Sequence, residues 1–495
     1  MRFLFSICFV ACSGLGTTQA QDIPTRKEAI SALNKAIDFF HSKVATHGGF
    51  VWKYSADLKY RQGEGLAYDQ RIWIQPPGTP AVGLAFLQAY EATRNKNHLQ
   101  AARDVADALV KGQLHSGGWY YSVTFDPEKR RGIHYRVAPT RGKPQIRWEE
   151  PGGWVVWRKR RHRNNMTTVD DDTTPAALRC LIRVDQALGF KDKTIHEAAE
   201  YGLTSLMKAQ YPIGAWSHNY DRFPRQSPDP EFYPIKKASY PKQWSRKWTR
   251  DFSGAYVLND RISLNAIKTM LLAHEVYKQE KYLMSAHRGG QFLLLAQMPD
   301  PQPAWAQQYD RNMQPVWDRP FEPPAITAFE SQDVLETLLD LYQHTAQKKY
   351  LTPIPGALAY LERSKLKDGK LSRFYELQTN KPLFFTKRYA ITYDRGAMPS
   401  HYRFVLSPWL SSIRQRYELL QAKGPKAATP SPNVKDMAVR VRKVIESLDS
   451  RGAWTEPGWV RNENAGKVTP QDGVILSETF IHNVELLSRY IQRTQ

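Results

Sequence analysis

Cysteine is nearly absent from this sequence. Its 495 residues include three, Cys8, Cys12 and Cys180. The first two fall within the first twenty residues, so a chain processed after them keeps Cys180 alone and can form no internal disulfide. Cys180 lies in an apolar helical stretch, 178–188, and reads as a small buried hydrophobe rather than a reactive thiol. Acidic residues are also scarce, 48 against 70 Lys and Arg, which leaves a formal charge of +22. That balance favours polyanionic partners through long-range attraction. Long hydrophobic runs are missing too: the apolar stretch at 3–11 is too short to span a membrane. Sustained period-two alternation is rare, which argues against a β-sandwich or barrel.

The first twenty residues are where the chain is most stereotyped. Arg2, the apolar run and Thr18-Gln19-Ala20 before Gln21 form the pattern of an export signal. Residues 1–20 are expected to be removed, leaving 21–495 as one domain in a secreted or periplasmic protein. Export makes nucleic acid a poor candidate for the polyanion and an acidic polysaccharide or cell surface a better one. The basic run Arg158-Lys159-Arg160-Arg161-His162-Arg163 is then a solvated loop or a rim that holds polyanion. Fourteen Trp and 25 Tyr supply core and also flat apolar faces on which sugar rings stack.

A repeat organises the chain. A helical stripe through Ile195, Ala198, Ala199, Leu203 and Leu206 ends in Gln210-Tyr-Pro-Ile-Gly214-Ala-Trp216. Similar endings occur at Gln113…Gly117-Gly118-Trp119 and Gln297…Pro303-Ala304-Trp305. Weaker copies are Gly48-Gly49-Phe50, Gly369-Lys370-Leu371 and Gly452-Ala453-Trp454. Second helices start near Thr79-Pro80 and Thr174-Pro175, where Thr is expected to cap and Pro to open the helix. Others start after Asn259-Asp260 and Glu330-Ser331. The spacing predicts six helix pairs and a terminal helix over 479–491, hence an all-α fold, an α/α toroid. Residues 122–166 and 219–253 interrupt the period as long irregular insertions, and 423–433 reads as a plain loop.

In such a ring, equivalent helices point the same way and their N-termini gather on one face. Asp170-Asp171-Asp172, Asp260 and Glu330 all lie at or near such starts. The positive helix ends favour ionised carboxylates, and converging carboxylates suit a hard cation such as calcium. The competing explanation is helix capping, which also places Asp there. The rigid strip Trp317-Asp318-Arg319-Pro320-Phe321-Glu322-Pro323-Pro324 would hold Arg319 either to pair bidentately with a carboxylate ligand or in a salt bridge to Glu322 or Asp318.

These segments resemble the family 10 polysaccharide lyases, the pectate or pectic acid lyases, over about 113–402. The carriers are the Gln-x-x-x-Gly-x-Trp endings, Thr168-Val-Asp170-Asp-Asp-Thr-Thr174, Leu258-Asn259-Asp260, the strip 317–324, Glu330-Ser331 and Arg373-Phe-Tyr-Glu-Leu-Gln-Thr-Asn-Lys381-Pro382. The resemblance implies calcium-assisted β-elimination on a pectate-like polymer. By it, Asp170 and Asp260 would be metal ligands and Arg319 the catalytic base, although arginine is ordinarily protonated. Arg373, Lys381 and Glu330 would lie near bound substrate. The chain departs from the family where Asp171-Asp172 replace Asn-Gly, where Arg261 replaces Gly, and in the turn Ala325-Ile-Thr-Ala-Phe329.

Three other readings fit part of the sequence. A triterpene-cyclase-like toroid shares the Trp turns, but Val169 stands where its first acid would be. A glycoside hydrolase could pair one of Asp170 to Asp172 with Glu149 or Glu150. A non-catalytic polyanion-binding toroid would keep the basic surface without the chemistry.

Overall fold

The computed structural model describes residues 23–137, 141–143, 164–223, 229–248, 256–427, 433–462 and 466–494. The expected export signal, the basic run at 158–163 and Glu149 and Glu150 lie outside them. Helices alternate between an inner and an outer layer. The inner ones are α2 (Thr79–Thr93), α5 (Thr173–Ala187), α7 (Ile262–Tyr277), α9 (Ala328–Thr345), α11 (Leu410–Lys423) and α13 (Ser477–Arg493). The outer ones are α3 (Lys96–Gly112), α6 (Lys193–Lys208), α8 (Glu280–Ala296), α10 (Ile354–Arg363), α12 (Val434–Glu446) and α1 (Arg26–Phe39); α11 packs on α9 and α10, and α12 on α13 and α1. One short helix, α4 (Pro127–Arg130), sits in the first insertion. The α/α toroid is therefore as the repeat predicted. The terminal helix corrects one detail: α13 begins at Ser477 and serves as the inner member of the sixth pair, packed on α1 and α2, so that the last repeat closes on the first.

Each residue of the Gln-x-x-x-Gly-x-Trp turn has a distinct task. The indoles of Trp119, Trp216 and Trp305 donate to the carbonyls of Leu109, Leu206 and Leu293, each at 2.8 Å, and so cap the outer helix that precedes them. The amides of Gln113 and Gln210 bridge their own turn to the next outer helix, at Ala198 O and Ser285 O. Gly214 has φ +104°, and a Cβ there would stand 2.0 Å from Arg288 O, so only glycine fits.

The inner-helix hydroxyls do something other than the expected capping. The helices start after Gly78 and Asp172, one residue or two ahead of the threonines. Thr79, Thr174, Ser263 and Ser331 instead accept the backbone N–H of Phe50, Trp119, Trp216 and Trp305, at 2.9–3.1 Å. These bonds satisfy buried donors and lock each inner helix to the preceding turn. Cys180 is fully buried in α5, and burial alone pushes its thiol up to about 12, which fits a packing role.

Short strands fill the loops. One antiparallel sheet orders Ile391–Thr392, Pro382–Phe385, Phe374–Glu376 and Ala325–Thr327, and it carries Arg373 to the start of α9.

Candidate active site

Two turns of the same shape open α5 and α7. In residues 169–172 and 258–261 the third positions, Asp171 and Asp260, have φ 50° and 48°, and the fourth, Asp172 and Arg261, have φ 59° and 61°. The turns hang from equivalent carbonyls. His218 O accepts from Val169 and Asp170 N–H, and Gln307 O accepts from Leu258 and Asn259 N–H. The repeat thus aligns Asp171 with Asp260, and Asp170 with Asn259. None of these acids caps a helix: the turns and helix starts contain no side-chain capping bond. The carboxylates are left for another purpose.

Asp170, Asp171 and Asp260 each present an oxygen within 4.8 Å of the others. Burial raises Asp171 to about 8, reinforced by the charges of Asp170, Asp260 and Glu64 and opposed by Arg319. Burial and Asp170 raise Asp260 as well. Three carboxylates in a confined, half-buried space repel one another, and a dication bound among them would relieve that repulsion. Tyr121 donates to Asp170 at 3.0 Å and Gln75 to Asp171 at 3.0 Å, which fixes both side chains from the neighbouring repeat.

The fourth residue of each turn points away. Asp172 pairs with Arg179, and Arg261 with Asp333. These are the positions at which the resembled family carries Gly. The left-handed backbone explains its glycine, and the ion pairs accompany the side chains found here.

Arg319 lies beside the trio. Its Nη2 donates to Asp260 at 2.8 Å and its Nε lies 3.1 Å from Glu322, so the pairing expected within the strip is joined by one across 59 residues of chain. Burial works against the guanidinium charge, but Glu322, Asp260, Asp170 and Asp318 outweigh it and hold Arg319 above its ordinary value. About a third of its side chain is exposed, as is that of Asp260, so a ligand can reach both. Asp318 engages the buried imidazole of His218 at 3.4 Å. Burial opposes a charge on His218, but Asp318 and Asp170 prevail and raise it to about 8.

A hydrogen-bonded chain continues from Glu322 through Asn259 and Gln307 to Glu330, and Glu330 accepts from Arg373 at 2.6 Å. Tyr402 donates to Glu322 at 3.0 Å and stacks under Arg373. Burial raises Glu322 to about 7. Glu330 and Arg373 are both buried and paired through Arg373 Nη2, while its Nε has no hydrogen-bond partner among the described residues, so an incoming uronate would have to compete with Glu330 for Nη2. The structure thus brings Asp170, Asp260, Arg319, Glu330 and Arg373 into one network. Lys381 makes no contact with it; its ammonium lies 5.4 Å over the Tyr393 ring.

Sequence reading missed Asp171 as an equal of Asp260, and it missed Tyr121, His218 and Gln307. A signal for the last three exists. Each stands two residues after the Trp of its turn, and Arg373 stands two after Leu371, the same place in a weaker copy. Their carbonyls all catch the segment that leads into an inner helix, at Ile74, Val169 and Asp170, Leu258 and Asn259, and Ala328, so one repeat position feeds side chains to the mouth of the ring.

No curated protein matches the sequence. Among solved structures, the chain is similar to a family 10 polysaccharide lyase from Cellvibrio cellulosa, at 17% identity, covering 70% of this chain and 97% of that one, with a TM-score of 0.45. A mutant of that lyase in complex with trigalaturonic acid matches at 16% identity over 69% and 98%, with a TM-score of 0.43. A cellobiose 2-epimerase from Bacillus thermoamylovorans matches at 14% identity over 94% and 99%, with a TM-score of 0.48. The family model described as Pectic acid lyase matches residues 154–372, a span that holds both acidic turns and Arg319 and ends one residue before Arg373. Over that span the chain resembles the pectic acid lyases, and the match supports a polysaccharide lyase.

Proposed function

We propose that this protein is an exported lyase that cleaves pectate-like, 4-linked galacturonan by calcium-assisted β-elimination. The observation that carries the reading is the convergence of Asp170, Asp171 and Asp260 beside the partly exposed Arg319. These three carboxylates would hold the calcium, Asp171 joining the two expected ligands. Bound there, calcium would draw in the uronate carboxylate and acidify the C5 proton.

The chain's own groups have the remaining tasks. Arg319 takes the C5 proton, the C4–O4 bond breaks as the C4–C5 double bond forms, and O4 leaves with a proton from solvent. In the resting protein Asp260 and Glu322 keep Arg319 protonated, so this role requires its release from Asp260 and favours alkaline pH. Until then the guanidinium is suited to hold a uronate carboxylate or the charge that develops on it. His218 and Asp318 fix the loop that carries Arg319. Arg373, poised by Glu330 and Tyr402, offers a second carboxylate contact. No helix among the described residues is long and apolar enough to cross a membrane, and the export signal at 1–20 accounts for meeting an extracellular polymer.

Polygalacturonate incubated with the purified protein and calcium is expected to develop the ultraviolet absorbance of an unsaturated uronate end. Reducing ends without absorbance would turn the reading to a hydrolase. Binding without either would leave a non-catalytic polyanion-binding toroid.

A further inference from the structure

The first and last repeats, outside the span matched by the family model, build one wall of the ring's mouth. Three cations gather there around Trp459. The ammoniums of Lys53 and Lys467 each lie 4.8 Å from its ring centroid. Arg461 stands directly across from Lys467 in the antiparallel pairing of Val460–Asn462 with Gly466–Val468. Like charges placed opposite each other destabilise a strand pair. No acid among the described residues forms an ion pair with any of the three. Arg461 and Lys467 are exposed, and Trp459 is half-exposed.

The wall adjoins the acidic trio. Arg461 N–H donates to the Gln62 side chain at 2.8 Å. Two residues further on, Glu64 is close enough for its charge to act on Asp171. Two residues of extended chain span at most about 7 Å. On the same side, Trp52 and Trp73 both donate to Gln75, whose amide holds Asp171. A polymer lying across the trio therefore has a route onto this hairpin.

We propose that Trp459 with Lys53, Arg461 and Lys467 forms a separate subsite for acidic polysaccharide, holding uronate units remote from the bond that is cleaved. The ring offers an apolar face for a sugar, and the cations pair with carboxylates on either side of it. The site rests on the proposed uronan substrate but not on its cleavage.

The test is binding of polygalacturonate in the presence of a chelator, which removes any contribution of calcium, with heavily methyl-esterified pectin as the uncharged control. Two exposed pairs lost together predict about a fivefold weaker affinity. R461Q/K467Q should show that loss for polygalacturonate and none for the esterified polymer, with an unchanged thermal transition. K53Q should lower affinity in the same direction. Equal affinity of native and variant proteins, or an equal loss for the esterified polymer, would overturn the proposal. Native protein that binds polygalacturonate but never cleaves it would defeat the lyase reading and leave this subsite standing. Cleavage with unaltered variant binding would do the reverse, and absence of any binding in chelator would overturn the subsite alone.

Discussion

The turns at 169–172 and 258–261 share their backbone and differ in their side chains. Both place an aspartate at the first left-handed position, Asp171 in one and Asp260 in the other. Around that shared residue they diverge. The α5 turn adds Asp170, and the α7 turn has Asn259, which reaches Glu322 and Gln307 instead. At the fourth position Asp172 and Arg261 have opposite charges and each leaves the site through its own ion pair. The difference teaches how a repeat acquires chemistry. The fold fixes where a carboxylate can point, and single substitutions at neighbouring positions decide which turn carries the extra carboxylate and which one carries the amide scaffold.

That comparison can be broken at graded cost. The largest effect belongs to Arg319, which pairs with Asp260 of the α7 turn and feels the charge of Asp170 in the α5 turn. Arg319→Ala is expected to lower kcat by about 10²–10⁴-fold, the span of a positioned proton acceptor, while polymer binding persists; unchanged turnover would remove it from the mechanism. Next, Asp260→Asn should lower turnover by about 10–100-fold, partly recovered at high calcium, because it deletes the carboxylate that pairs with Arg319 and is proposed to hold the cation.

Asp171→Asn tests whether the twin position is equivalent. Asp171 rests at about 8, far above an ordinary carboxyl, so without calcium the folded chain holds a proton that the unfolded chain has released from about pH 4 upward. Its contribution to stability is present in acid and is lost as pH rises through about 8. The variant should therefore unfold at a higher temperature than the native protein at pH 8 in chelator, by about 2 °C, and at the same temperature near pH 4. Calcium affinity, which needs the ionised ligand, should climb towards pH 8 in the native protein and flatten in the variant. The smallest effect is reserved for the fourth position. Arg261→Gly relieves a left-handed backbone but loses Asp333, so thermal stability should move by no more than about 1 kcal/mol with turnover intact; loss of turnover would mean that the ion pair shapes the site.

Much of this was legible in the residues. The Gln, Gly and Trp of each ending announced helix pairs because each satisfies a specific backbone group, and the ring followed from their spacing. Asp170, Asp260 and Arg319 were legible by family resemblance. Asp171 was read as a departure beside Asp170 because the two acidic segments were not aligned on the repeat; matching Val169-Asp170-Asp171-Asp172 with Leu258-Asn259-Asp260-Arg261 gives the pairing the backbone adopts. Capping was the natural local account of these acids, and only backbone angles and hydrogen bonds could decide against it. The ion pair between Arg319 and Asp260, the burial of Glu322 and the seclusion of Arg373 by Glu330 depend on segments 43–59 residues apart meeting at the mouth of the ring. No local pattern encodes such meetings. For the same reason Lys381, close to Arg373 in sequence, faces Tyr393 instead.

The central claim is that two repeats jointly form one cation site. Calcium titration by calorimetry at pH 8, on the native protein, Asp171→Asn and Asp260→Asn, tests it most directly. The account predicts one ion per chain, with affinity lowered about tenfold or more by either substitution. No calcium binding to the native protein, or binding left intact by both substitutions, would contradict it.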